Sequence, residues 1–192
     1  MHLNHSAKIF LTVLVAAWLL LTAGVSLLVI VFGHWDGPWR DMWDVTPWLH
    51  AAYTKSFLWQ DLWTEYGNSH RFYIARLIWL ADWTLSGANN HLIICISLIC
   101  QLGIFLCFFK QFRLIDLNYS ELLLCTCLLV FYLVNPSQIF NYLYTFDVQW
   151  FFVTLCTVVS CFLLSKNDKQ YLRLAVVFLL IVIAGGNNFS GL

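Results

Sequence analysis

KIFLTVLVAAWLLLTAGVSLLVIVF, residues 8–32, carries a single charge, Lys8, at its amino end. A helix needs about 20 consecutive apolar residues to cross a hydrocarbon layer of roughly 30 Å, and this run is long enough. It also exceeds the roughly 7 to 15 apolar residues of a secretory signal, and no small-x-small cleavage site follows it. Its reading is an uncleaved first membrane span.

Further apolar runs follow at 91–109, 119–134 and 148–165, with a shorter one at 171–184. The predicted fold class is therefore all-α: a polytopic membrane protein of about five transmembrane helices in a single domain, 1–192. GGNNFSGL, residues 185–192, resembles the start of a further element, so the domain is expected to be incomplete at its carboxy end. Composition agrees with the class: 61% of residues are hydrophobic and 10% charged, against roughly 25% charged in soluble proteins. Ten basic and ten acidic residues leave a net charge of zero, without the basic excess that neutralises a nucleic-acid backbone. The bilayer is the expected partner, and nucleic acid is not.

Basic loop residues set orientation. If the five spans alternate, Lys8, Lys110, Arg113, Lys166, Lys169 and Arg173 share one side, which should be the cytoplasm. The other side receives Asp36, Asp41, Asp44, Asp61, Glu65, Asp82 and Asp147. The expected location is a bacterial cytoplasmic membrane, with the amino terminus inside.

All seven cysteines fall in apolar runs with no ligand spacing, so they read as packing residues. No metal is assigned; a divalent cation stays open without a ligand pattern to support it. Gln101 within the second apolar run is of the type that hydrogen-bonds between helices. Glu121 lies near the cytoplasmic end of the third, within reach of water.

The outer loop, 33–90, holds eight of the ten tryptophans, from Trp35 to Trp83, the aromatic signature of a membrane surface. Thr46-Pro47 reads as a helix start and Gly67 as a helix stop. Ser69 would cap a second interfacial helix ending at Gly87. On a helical wheel Ile74, Leu77, Ile78, Ala81 and Leu85 share one face of it, and Phe72, Arg76, Trp79 and Trp83 the other.

Two charged groups in this loop could carry chemistry. Asp41 and Asp44, in RDMWDVTPWL (40–49), are close enough to perturb one another, as paired carboxylates set up for acid or base work are; the alternative is that they cap a loop or a short helix. His70 and Arg71, in YGNSHRF (66–72), form a compact cationic spot suited to a phosphate, or to anchoring the helix on lipid headgroups. Arg71 and Asp82 are separated by about 16 Å of helix and do not pair along it.

With DMWD after the first span, YGNSHR opening a second interfacial helix, and an Asn/Gln-containing aromatic segment entering a later span, the chain resembles the amino-terminal part of bacterial GT-C type membrane glycosyltransferases. The matching positions are Asp41, Trp43 and Asp44; Asn68, His70 and Arg71; and Gln138, Asn141, Gln149 and Trp150. Ser69 stands where the family pattern has Glu, and Asp147 where it has Gln.

The resemblance implies a polyprenyl-phosphate-sugar donor and transfer to an acceptor at the outer face. Asp41 or Asp44 would be the general base, His70 and Arg71 would hold the donor phosphate, and Asn68, Gln138, Asn141, Gln149 and Trp150 would line the cleft. A flippase or transporter component for lipid-linked sugars, or a noncatalytic membrane subunit with a membrane-protein partner, are the alternatives.

Overall fold

The computed structural model describes residues 5–33, 46–54, 60, 73–115, 117–134, 141, 143, 147–165 and 170–188, with backbone alone at 170 and 185–188. Among these the chain is all-helical: α1 (His5–Gly33), α2 (Thr46–Tyr53), α3 (Tyr73–Ser86), α4 (His91–Leu114), α5 (Tyr119–Val134), α6 (Val148–Leu164) and α7 (Gln170–Asn188).

Among the described residues two helices, α1 and α4, are long and apolar enough to cross a membrane. At 1.5 Å per residue, the 29 residues of α1 and the 24 of α4 extend about 43 Å and about 36 Å. The apolar parts of α5, α6 and α7, Tyr119–Leu133, Val148–Leu164 and Tyr171–Ala184, are shorter. Five spans are therefore not established by helix length.

Local chemistry explains several boundaries. Asn118 opens α5: its Oδ1 accepts the N–H groups of Ser120 and Glu121 at 3.0 and 3.1 Å, while Glu121 Oε2 accepts Asn118 N–H at 3.0 Å. This reciprocal cap satisfies N–H groups that a helix start leaves over. The other end of α5, Val134, directly precedes Asn135-Pro136, where proline disfavours helical geometry in the residue before it. Helix α2 starts at Thr46 with Pro47 in its first turn, where a missing N–H costs nothing. The expected stop at Gly67 and cap at Ser69 lie outside the described residues.

The long helices alternate in direction. Lys8 sits over the Tyr119 ring, 6.0 Å from its centroid, so the start of α1 meets the start of α5; Thr12 and Tyr119 also share a hydroxyl hydrogen bond there. Lys110 lies 5.6 Å from the Phe162 ring, joining the ends of α4 and α6. Ile30 and Ile94 pack together at the opposite end, with Cys100 and Phe151. Lys8, Lys110 and Arg113 thus occupy one end of the bundle, and α2 and α3 the other. Helix α4 is central, packed on α3, α5 and α6; α1 lies against α5, and α7 against α6 and α3.

The bundle is apolar outside and partly polar within. Phe10, Leu20, Leu21 and Phe32 of α1 are exposed, as are Leu172 and Phe178 of α7, while Ser26, Arg76, Asp82, Asn90, Ser97, Gln149 and Ser160 are buried. Ser97 and Ser160 return their hydroxyls to the carbonyls of Ile93 and Cys156, one turn earlier, at 3.0 and 2.7 Å. A hydroxyl satisfied by its own helix can sit in an apolar interface, and its small side chain lets helices approach.

Helices α4 and α6 approach closely at Gly103, where an added Cβ would stand 2.8 Å from Leu155 Cδ1. The end of one leucine side chain can turn aside, and alanine is the better helix former, so Gly103→Ala should leave stability nearly unchanged. A leucine side chain there must wedge the helices apart. Gly103→Leu is expected to cost about 1–3 kcal/mol, read as a lower midpoint in denaturant titrations of the detergent-solubilised protein.

Candidate functional site

The buried polar groups concentrate where α2 and α3 cover the ends of α4 and α6. Leu49 of α2, Ala75 and Trp79 of α3, Ile93 of α4 and Val148 of α6 form one buried cluster, flanked by Trp48, Ile78 and Ile96. Helix α3 turns Ala75, Arg76, Trp79 and Asp82 inward and leaves Leu77 and Leu85 exposed. Its charged side chains lie inside while Leu77 and Leu85 lie outside, the reverse of a helix on a water-soluble core.

Asp82 is 2% exposed and both oxygens of its carboxylate are hydrogen-bonded. Oδ1 accepts Ser86 Oγ–H at 2.7 Å and Leu92 N–H at 3.0 Å, and Oδ2 accepts Asn90 N–H at 3.0 Å. Asn90 is the N-cap residue of α4 but makes no side-chain cap bond itself. Asp82, one helix away in sequence, supplies the acceptors that the start of α4 needs.

It also holds the sharp α3–α4 link. Gly87, Ala88 and Asn90 have φ of 70°, 61° and 66°. Glycine takes this left-handed conformation freely and asparagine tolerates it, but alanine pays a steric cost. The bonds from Asp82 to Asn90 and Leu92, with Ala88 N–H to Asp82 O at 3.3 Å, keep the link in place.

Arg76, 6% exposed, lies six positions before Asp82 on the same helix. At the amino end of α3, the Tyr73 hydroxyl donates to the Ile183 carbonyl of α7 at 2.7 Å. Burial first, and the nearby Cys156 second, raise the Tyr73 phenol above its ordinary value, so it stays protonated as a donor. Tyr73 therefore fixes the start of α3 against the far end of α7.

Of the residues singled out in the sequence, Asp41, Asp44, Asn68, His70, Arg71 and Gln138 lie outside the described residues. Gly33 and Thr46, which bracket 34–45, both belong to the α2–α3 end: Gly33 approaches Leu143, and Thr46 begins the helix that carries Leu49 into the buried cluster. His70 and Arg71 precede the anchored Tyr73 by three and two positions.

Asn141 and Trp150 are brought together on a cavity of about 360 Å³ between α4, α5 and α6, which Gln101 also lines. Gln149 is not on this cavity. It is fully buried within the bundle, and neither polar atom of its amide has a hydrogen-bond partner among the described residues. The Gln101 Oε1 likewise has none, so the interhelical hydrogen bond expected of it is not found.

Arg76 and Asp82 are the buried charged residues that sequence reasoning undervalued. The available signal was their spacing: positions 75, 76, 79 and 82 share a helical face with Trp79 between the two charges. A wheel that ranks faces by hydrophobicity sends that face outward.

The described residues define an all-helical bundle with an apolar exterior and a polar, tightly capped junction at one end. No known protein family, curated protein or solved structure matches the chain.

Proposed function

We propose that the chain is a five-span protein of a bacterial cytoplasmic membrane, with its amino terminus in the cytoplasm. We further propose that it acts as a GT-C-like glycosyltransferase, moving a sugar from a polyprenyl-phosphate donor to an acceptor at the outer face. The observation that carries this reading is the buried Arg76 guanidinium, at the same end of the bundle as Gly33 and Thr46, which bracket Asp41 and Asp44 in the sequence, and as Tyr73, two positions after Arg71. A buried cation in an apolar bundle is costly and is retained where it meets an anion or serves a function.

Three further observations support the membrane part. Large apolar side chains cover much of the exterior, several polar residues are buried inside, and Lys8, Lys110 and Arg113 gather at one end, as basic residues do on the cytoplasmic side.

In the proposed reaction Asp41 or Asp44 accepts the acceptor hydroxyl proton as its oxygen bonds to the anomeric carbon. The bond from that carbon to the phosphate oxygen breaks, and the electron pair leaves with the polyprenyl phosphate, whose charge His70 and Arg71 stabilise. Asn68 and Gln138 would hold sugar hydroxyls.

The test is binding of a polyprenyl-phosphate monosaccharide to the detergent-purified chain. Arg71→Ala should weaken it roughly tenfold to a hundredfold, the value of a charge-assisted hydrogen bond, while Asp41→Asn should leave binding intact. A well-folded sample that does not bind the donor would overturn the transferase reading and favour a noncatalytic membrane subunit.

A further inference from the structure

We propose that Cys107 of α4 and Cys161 of α6 form a two-sulfur site for a soft monovalent cation of the Cu(I) or Ag(I) class. The inference is independent of the transfer reaction and of the number of spans.

The pair follows from how α4 and α6 lie. The two helices run in parallel: Ile94 and Phe151, near their starts, share one buried cluster, and Lys110 and Phe162, near their ends, meet. Beyond the close approach at Gly103 they enclose a cavity of about 300 Å³ that both cysteines line. Register is marked one turn further on, where Ser165 Oγ–H donates to Gln111 Oε1 at 3.5 Å. Cys107 and Cys161 each stand four positions before these partners, and one turn back on parallel helices keeps them at one level of the cavity. They are far apart in sequence, which is why their spacing carries no ligand signature.

The chemistry of the pair selects the ion. Thiolate sulfur is soft and favours ions of the Cu(I) class over hard cations. Two sulfurs complete the near-linear coordination that these monovalent ions accept, whereas Zn2+ takes four ligands. Bonds of roughly 2.3 Å, the Zn–S length, let one ion join sulfurs about 4–5 Å apart. The axes of packed helices lie about 8–10 Å apart and each Cα about 2.3 Å off its axis, so cysteines on facing sides reach that separation. Both are free thiols, Cys107 half-buried and Cys161 exposed, so an ion can enter from the surface.

Binding leaves oxidation states unchanged: two R–SH and M+ give [RS–M–SR]− and two H+. The product carries one negative charge, and Lys110 is placed to offset it. It follows Cys107 by three positions, a neighbouring place on the helix surface, and its Nζ lies 5.6 Å from the centroid of the Phe162 ring, itself part of the cavity wall. Beside Phe108, Val158 and Phe162, a bis-thiolate anion without such a partner would be costly to desolvate.

The experiment titrates the full chain, reduced and detergent-purified, with Ag+ under anaerobic conditions against a competing chelator. Cys107→Ser and Cys161→Ser should each weaken the tightest site about 100-fold or more, the gain from joining two ligands in one site. The double variant should be no weaker than either single one, because losing one arm of a chelate already loses the other. Zn2+ at equal concentration should not displace Ag+. Proximity is read separately in the unmutated chain: dibromobimane, which fluoresces on bridging two thiols, should join Cys107 to Cys161 by peptide mapping, and one equivalent of Ag+ should block the bridge. Unchanged affinity in either single variant, losses that add in the double variant, displacement by Zn2+, or no mapped bridge would each overturn the proposal.

Discussion

Trp79→Ala is expected to lower the stability of the bundle by about 3–5 kcal/mol, the range for emptying a buried tryptophan site. The indole is 3% exposed and packs where four helices meet, among Leu49 of α2, Ala75 of α3, Ile93 of α4 and Val148 of α6. None of these side chains can fill the space alone. Ala75 is already small, and Ile93 and Val148 are β-branched and stiff about χ1. The void therefore persists, and the cost approaches transfer plus cavity. Trp83, one turn along α3, is the control: it is 36% exposed, and among the described residues its aromatic contact is the Tyr53 ring, edgewise at 6.3 Å. Trp83→Ala should cost no more than about 1.5 kcal/mol. Chemical unfolding of the two variants in the same detergent gives the comparison; equal losses would mean that α3 is not docked through Trp79.

The consequence extends to the candidate site. Helix α3 carries Arg76 inward and, through Tyr73, holds its own start, two positions after Arg71, against α7. If Trp79 docks α3, its loss should weaken donor binding along with stability, even though it lies outside the set of charged residues assigned to the donor.

The long helices were legible because an apolar run bounded by charges needs no periodicity to be recognised. Lys8, the Lys110–Arg113 pair and Asp147 delimit them, and Asn118 and Pro136 mark both ends of α5. Helix α3 was legible as a helix ending at Gly87, but not in its orientation. Hydrophobic periodicity finds the face that water rejects; with Leu77 and Leu85 outside and Arg76 and Asp82 inside, the rule points the wrong way. A similar limit applies at Gln149 and Trp150. They are adjacent in sequence and were expected to line one cleft, but neighbouring helical residues diverge by about 100°, and Trp150 faces the cavity with Asn141 while Gln149 is buried elsewhere in the bundle. The role of Asp82 was not legible at all, because a cap delivered from another helix has no local sequence signature.

That cap carries the second large effect. Asp82→Ala is expected to cost about 2–4 kcal/mol: the loss of a helix cap is worth roughly 0.5–2 kcal/mol, and each donor left buried without a partner adds to it. Three donors depend on the carboxylate, the N–H groups of Asn90 and Leu92 and the Ser86 hydroxyl. Ser86 Oγ–H can fall back on the Asp82 backbone carbonyl, which it already approaches at 2.9 Å. The two N–H groups have no such alternative in the helix, since they belong to its unsatisfied first turn. Asp82→Asn separates charge from geometry. Its single side-chain oxygen can keep one side of the network, but its NH2 group must face a donor on the other, so its cost should fall between wild type and Asp82→Ala. Hydrogen exchange in detergent should localise the effect, with protection lost first at residues 90–94 while the middle of α4 stays protected. Uniform loss along α4, or wild-type stability in Asp82→Ala, would show that the link and not the carboxylate fixes the start of that helix.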